Sequence, residues 1–178
     1  MKGRINITVK TTTRDVLTML TDVDFLDRLE AGIKPVELEE ITYGQRLELS
    51  GMKTVRDMIL MPWKVLKDTQ EEKVLRMSFF QVFAFSYSVV KEIKRMAERD
   101  ERTFTYTPTP EEVQAGYLSL NHGAFGTVDR IAQRLNISHE AVFELPEKRV
   151  YAMLKIDYDT SNYQRKLNNI ITKKQTVS

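Results

Sequence analysis

The residue types that most often catalyse reactions or bind metals are scarce in this sequence. It contains no cysteine and two histidines, His122 and His139, which are not one helical turn apart as a zinc-binding pair would be. The HExxH, GxSxG and phosphate-cradling glycine motifs are missing from it. We therefore expect no catalytic activity, no metal and no cofactor. An acid–base enzyme that uses the carboxylates near Asp22 and Glu37 remains an alternative, because sequence spacing does not show whether a pocket separates their pKa values.

Charge is distributed unevenly along the chain, although its total is close to neutral. The formal net charge is +2, whereas residues 22–49 contain eight acidic and three basic residues, and residues 161–178 contain four basic residues and no acid. Opposite patches favour head-to-tail contacts between copies, which close a ring or grow a tube. The alternative is two solvated faces without a partner. The candidate contact residues are the basic Arg165, Lys166, Lys173 and Lys174 and the acidic Glu37, Glu39 and Glu40.

Residues 128–142 have the pattern of a helix-turn-helix. Small Ala132 suits close helix packing, and Ser138 suits the cap of a second helix. If the motif bound DNA, this second helix would lie in the major groove, where Glu140 and Glu144 would repel phosphates. We therefore favour a structural corner and do not expect nucleic acid as a partner. A helix-turn-helix DNA-binding regulator remains the alternative function.

Most of the chain has the periodicity of helices. The most hydrophobic segment, residues 74–96, predicts a buried central helix over residues 79–96, with a strand over residues 73–80 as the competing interpretation. Residues 5–9 and 104–106 alternate polar and apolar side chains, which is typical of strands, and we expect them to pair. The expected fold class is therefore α+β, mainly helical, with a small antiparallel sheet element and a C-terminal helical subdomain.

The C-terminal third begins with a strong helix-start signal. The sequence TPEE at residues 109–112 combines a capping box with a proline in the first helical position, and it predicts a helix over residues 110–120. Further helical segments follow. We expect two regions: an N-terminal α+β region, residues 1–108, and a C-terminal helical subdomain with a basic tail, residues 109–178.

Membrane insertion is not expected from the sequence. A bilayer-spanning helix needs about 20 consecutive apolar residues, and no window of the chain reaches that length. Residues 1–10 also lack the apolar region of a signal peptide.

Five stretches resemble small proteins of tailed bacteriophages that are encoded among the virion and tail-assembly genes of phages infecting Bacteroides-type hosts. They are residues 41–50, 114–118, 123–132, 140–146 and 163–167. The resemblance implies a non-enzymatic role in virion structure or assembly, as a tail or head-tail component or a tail assembly chaperone, with no cofactor. It transfers no functional residue to this chain. The expected partners are other phage virion or tail proteins, or copies of the chain in a ring, located in the virion or the host cytoplasm.

Overall fold

The computed structural model describes residues 11–19, 40–120 and 122–176, most of which are helical. The chain forms two compact units, Met1–Met96 and Ala97–Ser178. The helices are α1 (Thr13–Met19), α2 (Tyr43–Ser50), α3 (Val55–Lys67), α4 (Glu71–Arg76), α5 (Phe79–Thr103), α6 (Pro110–Gln114), a 3-10 helix (Tyr117–Leu120), α7 (Gly123–Leu135), α8 (His139–Phe143) and α9 (Glu147–Thr176).

The sheet expected from the sequence is not found among these residues. They contain no strand, and an isolated antiparallel bridge joins Thr12 to Ser78. The α+β prediction is therefore wrong, and this part of the chain is mainly helical. Residues 5–9, the other expected strand, lie outside the described residues.

Residues 104–106, predicted as a strand, instead connect α5 to α6. The N–H of Phe104 donates to the carbonyl oxygen of Asp100, with 2.8 Å between N and O, and so completes the last turn of α5. The ring of Phe104 meets the rings of Tyr151 and Tyr158 on α9 edge-on, at centroid distances of 5.7 and 5.6 Å. The alternating pattern arises because aromatic side chains of this connection pack on a helix, and a sheet is not needed to explain it.

Helix α5 is the buried central helix that the sequence predicted, and it continues to Thr103. Phe79 and Phe83 are almost fully buried, and their rings stack with 5.4 Å between centroids. Phe83 also stacks on Tyr87 at 5.8 Å. These residues share a core cluster with apolar side chains of α1, α3 and α4, namely Val16, Ile59, Leu60, Val74 and Leu75.

The competing strand over residues 73–80 is wrong, because α4 ends at Arg76 and α5 begins at Phe79.

The boundary between the two units lies inside α5. The division at residue 108 expected from the sequence falls after this helix, in the connection that precedes α6.

A second core cluster of the first unit lies farther along α5. Trp63 packs against both clusters, and its Nε1–H donates to the carbonyl oxygen of Val82 at 3.3 Å. Helix α3 runs through the buried Pro62, although a proline cannot donate a helical hydrogen bond. The buried members of this cluster are Ile41, Leu49, Phe85, Val89, Ile93 and Met96.

The helix predicted over residues 110–120 begins as expected but ends early. Thr109 and Glu112 form the predicted capping box. Helix α6 then stops at Gln114, because Gly116 takes a φ of +89°, a left-handed conformation that ends helices and suits glycine. A short 3-10 helix follows.

In the second unit, α7, α8 and the beginning of α9 enclose a small apolar core. Asn136 ends α7 with a φ of 52°, and the hydroxyl of Ser138 accepts the N–H of Ala141 at the start of α8, at 3.2 Å. This is the predicted tight corner between two helices. The buried apolar residues are Val128, Ile131, Ala132, Val142, Val150 and Met153.

Candidate interaction surface

The long helix α9 has two opposite faces, and its inner face packs within its own unit. Leu154, Tyr158 and Arg165 are spaced by four and seven residues, which places them on one side of a helix with 3.6 residues per turn. The guanidinium of Arg165 lies over the ring of Tyr106, with 3.7 Å between Cζ and the ring centroid. The hydroxyl of Tyr158 donates to the carbonyl oxygen of Thr105. The inner face is therefore held by contacts inside the unit.

A cleft of about 410 Å³ lies beside this inner face. The arginines that line it have partners: Arg165 Nη2 donates to Asn162 Oδ1 at 2.7 Å, and Arg130 Nε lies 3.9 Å from Asp157 Oδ2. An arginine that already has a counterion or a hydrogen-bond acceptor gains less from binding an anion. We therefore do not place the functional site in this cleft.

Tyr106, which lines the same cleft, is paired with Glu112. The Tyr106 hydroxyl donates a hydrogen bond to the carboxylate of Glu112. This bond is the main reason that the pKa of Glu112 is lowered and the pKa of Tyr106 is raised. A general acid or base works best with a pKa near the working pH, and both shifts move away from neutrality. The pair holds the start of α6 in place and is poorly suited to proton transfer.

The outer face of α9 carries large apolar side chains that remain exposed. Ile156, Tyr163 and Ile170 are seven residues apart, and 55%, 65% and 54% of their surfaces are accessible. Seven residues are nearly two helical turns, so the three side chains lie on one side of the helix, about half a turn from the inner face. Thr160 and Leu167 lie between them on the same side. We call these five residues the outer row.

An exposed apolar row of this kind is typical of a surface that another molecule covers. Sequence reasoning did not single it out, because it selected the C-terminal segment for its basic residues. The seven-residue spacing was the available signal. Spacing alone shows that residues share a face, and only the packed structure shows that this face is left uncovered.

Two of the basic candidate residues, Arg165 and Lys166, lie on different faces of α9. Arg165 belongs to the inner face, whereas Lys166 is exposed beside the outer row. Lys173 and Lys174 belong to α9, but their side chains lie outside the described part of the structure.

Of the acidic candidates, Glu40 is exposed just before α2. Glu37 and Glu39 lie outside the described residues. A head-to-tail contact between the acidic and basic segments therefore stays a prediction.

In the corner between α7 and α8, side chains that a DNA-binding motif would present to DNA contact each other. His139 Nε2 lies 3.2 Å from Asp129 Oδ1, and the ring of Phe125 meets the imidazole edge-on at 5.4 Å. The backbone N–H of Glu140 and the hydroxyl of Ser138 lower the pKa of the Glu140 carboxyl, which keeps it ionised. A carboxylate at the start of the second helix repels the phosphates of a duplex.

Residues 11–19, 40–120 and 122–176 lack two further kinds of site. No group of three or more histidine, aspartate or glutamate side chains there is arranged to hold a metal ion. No helix in the same ranges has both the length and the apolar character that a membrane crossing requires.

Comparisons with protein families, with curated proteins and with solved structures found no match to this chain.

Proposed function

We propose that this protein is a non-enzymatic structural or assembly component of a tailed bacteriophage and that it acts by protein–protein contact. The observation that supports contact is the outer row of α9, where large apolar side chains at regular spacing face the solvent. Contact between such side chains and water costs free energy, and a partner that covers them removes this cost. The phage setting is supported by the resemblance of five stretches of the sequence to virion and tail-assembly proteins. The partners are other virion or tail proteins, or further copies of the chain, in the virion or the host cytoplasm.

The surfaces of the second unit suit contact better than catalysis. Arg130 and Arg165 beside the cleft have partners inside the unit, and the pKa values of Tyr106 and Glu112 are shifted away from neutrality. These groups stabilise the unit. The side chains that are left exposed in a row are apolar, and they favour a macromolecular partner over a small substrate.

Deletion of the coding sequence from the phage genome tests this function directly. Electron microscopy of the resulting particles should show tails that are missing, incomplete or detached, because a contact needed for assembly is lost. Expression of the wild-type chain from a plasmid should restore complete particles. Complete and infectious particles from the deletion strain would contradict the proposal.

A DNA-binding regulator is the second candidate, favoured by the tight corner between α7 and α8. Gel-shift titration with duplex DNA separates the two functions. A regulator binds duplex DNA with an affinity that falls steeply as salt rises, because phosphate contacts release counterions. We expect no shift at low salt, since Glu140 keeps a negative charge at the start of α8.

A further inference from the structure

We infer that the outer row of α9, from Ile156 to Leu167, packs against the same stretch of a second copy of this chain, with the two helices antiparallel. This inference rests on the proposed function, in which the chain works through protein contacts. It adds the identity of one partner, the orientation of the contact and its register.

The spacing of the outer row is that of a seam between two helices. Ile156, Tyr163 and Ile170 occupy one position of a seven-residue repeat, and Thr160 and Leu167 occupy the position four residues later. Two such positions per heptad form the narrow stripe along which helices pair. A helix that lies on a membrane surface exposes a wider apolar face, bordered by lysine and arginine. Ile171 is also exposed beside Ile170, but from Ile156 to Leu167 the row keeps two positions per heptad, and this stretch therefore fits a single partner helix.

The charges beside the row distinguish the two orientations of a helix pair. Asp159 and Lys166 are seven residues apart and occupy equivalent positions at one edge of the row. In a parallel pair this edge position faces the residue five positions later, so Asp159 would meet Gln164 of the partner subunit and Lys166 would meet Ile171 of the partner subunit. In an antiparallel pair the two edge positions face each other. Asp159 then lies opposite Lys166 of the partner subunit, and the two-fold axis repeats the pair.

Asp159 also makes an ion pair within its own helix. Its Oδ2 lies 2.6 Å from Nζ of Lys155, and both side chains are about half exposed. Exposed pairs of this kind contribute little free energy. Asp159 is therefore able to turn toward a lysine of a second chain at small cost.

The register set by these charges also packs the outer row against itself. Ile156 lies opposite Leu167 of the partner subunit, and Thr160 lies opposite Tyr163 of the partner subunit. The two-fold axis repeats each pair, so the outer-row side chains from Ile156 to Leu167 are covered, whereas Ile170 lies beyond the paired stretch. The contact is isologous: each subunit uses the same surface, so this contact joins two chains.

The first experiment tests whether the outer row mediates self-association of the chain. Sedimentation equilibrium of the full chain over a concentration series should show a monomer–dimer equilibrium. Tyr163→Glu should weaken the dimer by about tenfold or more, because the partner side chains would bury a charge. Its folding is not at risk, since Tyr163 is exposed and glutamate favours helices, and circular dichroism checks this.

The matched control is Phe125→Glu on α7, because 65% of the surface is accessible at both Phe125 and Tyr163. This variant should dimerise as the wild type does. Unchanged dimerisation of Tyr163→Glu, or an equal loss in Phe125→Glu, would overturn the assignment of the surface.

The second experiment tests orientation by exchange of charges. Asp159→Lys and Lys166→Glu should each weaken the dimer several-fold, because each places like charges opposite one another. The double variant Asp159→Lys with Lys166→Glu should recover wild-type affinity, because in the antiparallel register the exchanged charges again face each other. Lys94→Glu, an exposed lysine of α5, is the matched control and should change nothing. Failure of the double variant to recover would overturn the antiparallel register.

Two other outcomes separate this inference from the proposed function. A wild-type chain that stays monomeric at every concentration overturns self-pairing, while the deletion experiment on phage particles still decides the proposed function. Vesicles of anionic phospholipid that bind the wild type and not Tyr163→Glu would assign the outer row to a membrane surface, and would also overturn self-pairing.

Discussion

The guanidinium of Arg99 donates a hydrogen bond to the carboxylate of Glu147, with 2.5 Å between Nη2 and Oε1. Glu147 begins α9, and its side chain is 2% exposed, whereas the side chain of Arg99 on α5 is 22% exposed. Burial lowers the pKa of Arg99, but hydrogen bonds to Glu147 and Asp100 outweigh burial, and the pKa is raised. The Cζ atom of Arg99 also lies 3.6 Å from the ring centroid of Tyr151. This pair fixes the start of α9 against the end of α5.

Replacement of Arg99 by methionine should destabilise the protein strongly. Arg99→Met keeps the aliphatic stem but leaves the buried Glu147 carboxylate without its guanidinium, which costs about 3 kcal/mol. Urea unfolding followed by circular dichroism measures the loss. The matched control is Arg95→Met, because Arg95 pairs with Glu92 on the surface of the same helix and 62% of its side chain is exposed. The control should cost less than about 1 kcal/mol, and equal costs in both variants would contradict the prediction.

The hydrogen bond between Tyr106 and Glu112 should make stability depend on pH at both extremes. Tyr106 has a raised pKa, so its contribution is present below its ordinary value of 10.0 and is lost as the pH rises through the raised pKa. Glu112 has a lowered pKa, so its contribution is present above its ordinary value of 4.5 and is lost as the pH falls through the lowered pKa.

Glu112→Gln removes the negative charge of this pair and changes little else, because glutamine still completes the capping box of α6. The pKa of Tyr106 should then fall back toward 10.0. Titration of tyrosinate absorbance measures it, and Tyr106→Phe identifies its contribution among the seven tyrosines of the chain. A pKa of Tyr106 that does not move in Glu112→Gln would show that the carboxylate is not its partner.

The left-handed backbone conformation of Asn136 should make its replacement by alanine destabilising. Asn136 has a φ of 52° at the end of α7, a region that asparagine and glycine tolerate better than alanine does. Asn136→Ala should therefore cost about 1 kcal/mol, and Asn136→Gly should be close to neutral. Thermal unfolding measures both. The control, Asn168→Ala in the exposed middle of α9, should be neutral or stabilising, and a similar loss there would contradict the explanation.

Helix starts were predictable from the sequence because a cap acts over three or four residues. Thr42 and Gln45 have the Thr-x-x-Gln spacing of a capping box, and the structure shows both of its hydrogen bonds, at 3.2 and 3.0 Å. The start of α6 at Pro110 and the cap at Ser138 were predicted on the same local grounds and are confirmed. Each of these features is decided by side chains that lie next to the backbone groups they satisfy.

Contacts between distant residues were not predictable in the same way. Residues 104–106 have the alternation of a strand, but their aromatic rings pack on α9, about fifty residues later in the chain. A proline inside a helix usually interrupts it, yet α3 continues through Pro62, because the burial of Pro62 and its neighbours compensates for one missing hydrogen bond. Tertiary packing decided both cases, and a local pattern does not contain that information.

The candidate site shows the same limit. Arg165 was selected from its charge, but its guanidinium stacks on Tyr106 and serves the inside of the unit. Lys166, the next residue, faces a different direction and borders the outer row. Sequence identified the charged tail, and only the packing of α9 showed which of its residues are available to a partner.

The stacked phenylalanines of α5 should dominate the stability of the first unit. Phe83 is 2% exposed and stacks on both Phe79 and Tyr87, so Phe83→Ala removes buried surface and leaves a cavity, at a cost of about 4 kcal/mol. Trp63 is the single tryptophan and packs against both core clusters, so its fluorescence reports the urea unfolding of this unit. Phe80→Ala on the same helix is the matched control, since 43% of Phe80 is exposed, and it should cost about 1 kcal/mol or less. A loss in Phe80→Ala as large as that in Phe83→Ala would mean that the buried face of α5 is not the one that carries Phe79 and Phe83.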